Sequence, residues 1–130
     1  MSDNNIVVHG LSRLDYLELA KRVGKDEAKY QSEHKTGDEY GELVSGAVIL
    51  TLTPIALTAL SILLARRHKQ SVFSYICEVK TSEVVKRIEV HFDTSESEAP
   101  NADIIKQIGE SLKIDVSAAL RRLAESKEIE

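Results

Sequence analysis

The sequence predicts an α+β chain. A short strand and an amphipathic helix come first, then a long apolar helix read as transmembrane, an antiparallel β-hairpin and two C-terminal helices. Three observations predict it. Glu42 and Arg66 enclose 23 residues without a charge. Two stretches of alternating apolar and polar residues then flank a short polar connection. Two amphipathic patterns with capping residues close the chain. The predicted organisation is a strand, helix and polar linker over residues 1–41, the apolar helix over 42–66, and a cytosolic hairpin with helices over 67–130.

Residues 6–8, "IVV", bounded by Asn5 and Gly10, read as a short strand. Ser12 with Asp15 three residues on forms a capping box, and Gly24 is a stop signal. Between them Leu14, Leu17 and Val23, with Ala20, recur at helical spacing. Residues 25–41 are polar and mixed in charge, and read as a linker.

As a helix the apolar segment would reach roughly 34 Å, enough for a hydrocarbon core of about 30 Å. Its seven Leu, three Ile and two Val supply on the order of −4 to −7 kcal/mol of apparent insertion energy. Asp38, Glu39 and Glu42 precede it; Arg66, Arg67 and Lys69 follow it. The positive-inside rule then places the C-terminal part in the cytoplasm. The alternative is a cytoplasmic chain in which the segment is a core helix, or a hairpin bent at Pro54.

Within the segment Ala47, Thr51, Pro54, Thr58, Ser61 and Ala65 recur at spacings of 4-3-4-3-4. In lipid such a seam of small side chains lets helices approach, which predicts a homo-oligomer or docking onto a partner helix. In a soluble fold it marks close packing on a sheet. Arg66, Arg67 and Lys69 are an anchor to anionic lipid headgroups in the first case. In the second they are a favourable charge set at a helix C-terminus.

In the hairpin Phe73, Tyr75, Cys77 and Val79 share one face, as do Val84, Ile88, Val90 and Phe92. Arg87, Glu89 and His91 take the other face, so one side of the sheet is covered and one is wet. An acidic loop runs over residues 93–101. Asn101 can cap a helix whose stripe is Ile104, Ile105, Ile108 and Leu112. Asp115 can cap a last helix carrying Val116, Ala119, Leu120 and Leu123.

Composition and motifs argue against several function classes. With a net charge of −4, the chain is not a bulk electrostatic partner for nucleic acid. Its single cysteine, Cys77, permits no internal disulfide framework and reads as a small buried hydrophobe. The first ten residues lack the basic and apolar regions of a secretory signal. His9, His34, His68 and His91 are scattered; His91 and Asp93 offer two metal ligands without a third. Gly41 and Gly46 open no phosphate loop. Arg121 and Arg122 sit in a segment that loosely imitates a helix-turn-helix, but a helix pair covering the hairpin is the stronger reading. No catalytic constellation, cofactor site or metal site is expected.

The glycine at Gly41, the apolar stretch ending at Arg66 and Arg67, the paired strands and the helix from Ile104 to Leu112 together resemble the effector-associated constant component proteins of bacterial conflict systems. The resemblance covers residues 36–114. It departs from that pattern in having no Trp before the Arg cluster, no internal glycines in the helix and no Gly in the hairpin turn. It implies a non-enzymatic component encoded beside defence effectors such as caspase-like or trypsin-like proteases. The expected protein is therefore a small, non-catalytic, membrane-anchored component. It self-associates through its apolar helix and docks or senses an unidentified protein effector. The alternative is a soluble adaptor with that helix buried in its core.

Overall fold

The computed structural model describes residues 4–32, 46–82 and 85–125. Their order is β1 (Asn5–Leu11), α1 (Arg13–Val23), a single 3-10 turn (Lys25–Glu27), β2 (Ala28–Ser32), β3 (Gly46–Thr51), α2 (Pro54–Arg67), β4 (Val72–Lys80), β5 (Val85–Asp93), α3 (Pro100–Leu112) and α4 (Ser117–Glu125). The fold is α+β: one five-stranded sheet in the order β2-β3-β1-β4-β5, with every neighbouring pair antiparallel, and four α-helices.

The alternation read from the hairpin extends through the whole sheet. Leu50 pairs with Ile6 and Val48 with Val8 on one side of β1; Val79 and Cys77 pair with the same two residues on the other. Cys77, Tyr75 and Phe73 face Ile88, Val90 and Phe92 across the hairpin. These side chains share one core with the helices: Leu19 from α1, Leu57, Leu60 and Leu64 from α2, Ile104, Ile105 and Ile108 from α3, and Ala119 from α4. Val84 lies outside the described residues. Gly10, at φ 95°, sits where the β1–β3 register shifts between His9 and Leu11. A left-handed residue there makes a bulge at no side-chain cost, and turns the chain into α1.

The apolar segment is not one helix. Its first part is β3, an interior strand with Ala47, Val48 and Leu50 buried. Thr53 then caps α2, its Oγ1 accepting the N–H of Ala56 at 3.1 Å, and Pro54 occupies the first turn, where its missing N–H costs nothing. The remaining helix has 14 residues, about 21 Å, and is flanked by α1, α3 and α4. No helix among the described residues is long and apolar enough to cross a membrane.

Three smaller expectations also change. Residues 28–32, read as linker, form edge strand β2, with Ala28 buried and Tyr30 half-buried on the core; most of the remaining expected linker falls outside the described residues. On α1 the capping box of Ser12 and Asp15 is present, but Leu14 and Leu17 face solvent, 75% and 47% exposed. The buried positions are Asp15, Leu19 and Ala20. On α3 the helix starts at Pro100 behind Ala99, with no side-chain cap from Asn101. Asp115 does precede α4 as expected, and its Oδ1 accepts the N–H of Ser117 at 2.9 Å.

Candidate functional site

The seam residues are divided between two elements. Ala47 and Thr51 lie on β3, paired with His9 and Asn5, and so face away from the helices. Pro54, Thr58, Ser61 and Ala65 follow on α2. Thr58 and Ser61 are buried, and both hydroxyls are satisfied inside the helix. Thr58 Oγ1 donates to the carbonyl of Pro54 at 2.7 Å, and Ser61 Oγ to that of Thr58 at 2.8 Å. The small side chains of α2 therefore line a close-packed core helix.

The basic cluster is divided too. Arg66 pairs with Glu18, and Arg67 pairs with Asp15, both on α1. Lys69 is exposed beyond the helix end. Arg66 and Arg67 thus fasten the last turn of α2, where cations also oppose the helix dipole.

Around Arg67 the fold assembles a polar cluster that residue patterns did not single out. Asp15 is 3% exposed. Its Oδ2 accepts the N–H of Ser12 at 2.9 Å, and its Oδ1 accepts from the Arg67 guanidinium. The Arg67 charge also acts on Tyr75 on β4. The Tyr75 hydroxyl shares a hydrogen bond with His68 Nε2 at 2.6 Å. The His68 ring stacks on Phe73 at 4.1 Å, and Phe73 stacks on Phe92 at 5.0 Å. Burial, and next the Arg67 charge, hold the His68 imidazole below its ordinary value. Burial raises the Tyr75 phenol, with Arg67 opposing. Burial pushes the Cys77 thiol up to about 12. Every polar member is engaged with another, so the cluster bolts α1, α2 and β4 together. A satisfied, part-buried network of this kind fixes geometry.

The other candidate surface is the sheet face turned away from the helices. One row across it reads Lys29, Ile49, Val7, Glu78 and Arg87, one residue from each strand in spatial order. Ile76 lies opposite Glu89, Val85 opposite Lys80, and Val72 opposite Asp93. Ile76, Val85 and Val72 are 38%, 67% and 69% exposed. His9 Nε2 meets Glu78 Oε1 at 3.2 Å on the same face. A cleft of about 410 Å³ opens at one end of it, lined by Val7, Lys29, Ile49, Thr51 and Lys80 among others. His91 and Asp93 are both exposed here. Among the described residues no three His, Cys, Asp or Glu side chains converge as metal ligands. Compared with known proteins, the chain matches no protein-family model, no curated protein and no solved structure.

Proposed function

We propose that the protein is a non-catalytic adaptor domain that docks a separate effector protein on the β4–β5 part of the sheet face turned away from the helices. The observation that carries this reading is the one-sidedness of the fold. Among the described residues the helices share a core with one sheet face, while on the other the β4–β5 hairpin leaves Ile76, Val72 and Val85 exposed among alternating charges. Apolar side chains set in a polar frame have the make-up of a recognition surface. The clustered ionisable groups support a non-catalytic role, because Asp15, Arg67, Tyr75 and His68 are committed to holding three elements together. The core-buried helix belongs to the adaptor alternative; a single-pass anchor in this segment does not fit a strand followed by a 14-residue helix. The effector, and a setting in bacterial defence, rest on the resemblance described above.

The test is retention of the protein encoded beside this one on a tagged full-length chain. Wild type is expected to retain it. Ile76→Arg, on the exposed face, is expected to lose it while keeping the wild-type melting curve. No retention by wild type, or equal retention by the variant, overturns the reading.

A further inference from the structure

Among the described residues β5 is the outer strand of the sheet, with nine residues and no proline to blunt its edge. Two bonds fix which of its backbone groups look outward. The N–H of Thr94 donates to the Ser71 carbonyl at 3.0 Å, on the β4 side. One residue earlier, Asp93 turns the other way. Its N–H donates to Gln107 Oε1 at 3.2 Å, and its carbonyl accepts from Gln107 Nε2 at 3.5 Å. Antiparallel alternation then directs the N–H and C=O of Val85, Arg87, Glu89 and His91 outward as well. The Gln107 amide closes this edge at Asp93. The run it leaves, residues 85–91, is centred on Ile88.

We infer that a second copy of this chain pairs here, β5 against β5, about a two-fold axis through Ile88. The two five-stranded sheets become one continuous sheet, with both helical layers on the same side. Keeping the layers on one side requires the axis to pass through a residue, because side-chain facing has period two. An axis at Arg87 sets two arginines opposite each other, and one at Glu89 sets two carboxylates opposite, both unfavourable. An axis at Val90 requires the backbone of Asp93, which Gln107 holds. At Ile88 the free run pairs with itself completely. Arg87 then lies opposite Glu89 of the second copy, and this occurs twice. Val85 lies opposite His91 of the second copy, and Ile88 meets Ile88 beneath. Half-buried Lys86 lays its aliphatic stem beside Val90 of the second copy. The pairing rests on the β5 edge and is measured without an effector, so it stands or falls separately from the docking reading.

The experiment is sedimentation equilibrium of the full chain over a range of concentrations. A monomer–dimer equilibrium is expected. Arg87→Glu or Glu89→Arg alone turns both cross-strand pairs repulsive and weakens the dimer about tenfold or more. The combined swap Arg87→Glu/Glu89→Arg restores it. His91→Pro removes an outward N–H, leaves the β4 ladder intact and also weakens it. Circular dichroism checks that each variant is folded. A monomer at every concentration overturns the inference, as does a dimer indifferent to the single reversals. So does a swap that fails to restore pairing, because an axis at Val90 would set a carboxylate against Asp93 of the second copy.

Discussion

Replacing Leu60 with alanine separates a core helix from one that faces lipid. Leu60 is 0% exposed at the middle of α2, within the core formed with the sheet and the other helices. The change removes three carbon groups, about 2.4 kcal/mol of transfer free energy at about 0.8 each. The unfilled cavity brings the expected loss to about 2–5 kcal/mol. Alanine's better helix propensity returns only about 0.2 kcal/mol. Unfolding entropy of about 2.1 cal/mol/K per residue, over 130 residues, is about 0.27 kcal/mol/K. A loss of 3 kcal/mol therefore lowers Tm by about 11 °C. The matched control is Leu14→Ala on α1, at a side chain 75% exposed, where the loss is below about 0.5 kcal/mol. Thermal melts in detergent-free buffer read both. A Leu60→Ala chain melting within about 3 °C of wild type, or no lower than Leu14→Ala, would refute the placement of this helix in the core.

Cys77, its thiol pushed up to about 12 by burial, should resist a disulfide-exchange reagent at pH 8 and react promptly once denaturant is added; fast labelling of the folded chain contradicts this. His68 gives a pH dependence with a definite sign. Burial and Arg67 hold its folded pKa below the ordinary 6.5, so below that pH the unfolded chain takes up the proton more readily. Its contribution is present above pH 6.5 and is lost as pH falls through the lower, folded value. Urea midpoints between pH 7 and 5 should fall less steeply in His68→Gln than in wild type, and parallel profiles would remove His68 as the cause. Gly109 lies inside α3, where alanine would ordinarily gain about 1 kcal/mol. A Cβ there would stand 2.9 Å from Val116 Cγ2 and 3.2 Å from the Ile114 carbonyl. Gly109→Ala should instead destabilise by about 1–3 kcal/mol, with partial relief from Val116→Ala; a stabilised single variant in urea would show that the α3–α4 junction is looser than this.

What the sequence made legible is what local chemistry decides. The hairpin faces follow from a period of two within each strand, and the capping box at Ser12 spans three residues. The stripe of Ile104, Ile105, Ile108 and Leu112 needs only helical spacing, and all four are buried. The face of α1 was misread because a carboxylate occupies a core-facing position. Asp15 is buried with its carboxylate paired to Arg67, 52 residues away, as well as to the Ser12 N–H. With Asp15 discounted, Leu14 and Leu17 seemed to define the stripe. β2 was illegible for a related reason. It is an edge strand of five residues, and among its described side chains Ala28 and Tyr30 turn toward the core, too few for alternation to show.

The apolar run held the larger ambiguity, and its resolution lay in two adjacent residues. Thr53 followed by Pro54 is an N-cap followed by a first-turn proline, a signature of a helix beginning rather than continuing. Everything before it is then free to be something else, and "GAVILT" is rich in β-branched residues that suit a strand. Hydropathy cannot make this distinction, because it sums burial without asking what does the burying. An interior strand is shielded on one face by helices and along both edges by neighbouring strands. A helix under a sheet and between three other helices is shielded nearly all round. Placed end to end through a two-residue joint, such a strand and helix imitate the length of a bilayer span while sharing no common axis. The spacing 4-3-4-3-4 fails for the same reason. It assumes one helical phase from Ala47 to Ala65, whereas Ala47 and Thr51 take the phase of β3 and Thr58, Ser61 and Ala65 that of α2. The small residues in α2 keep their physical meaning, close approach, but what approaches is the protein's own core. The seam therefore carries no argument for self-association; the pairing inferred above rests on the outward backbone groups and charges of β5 instead.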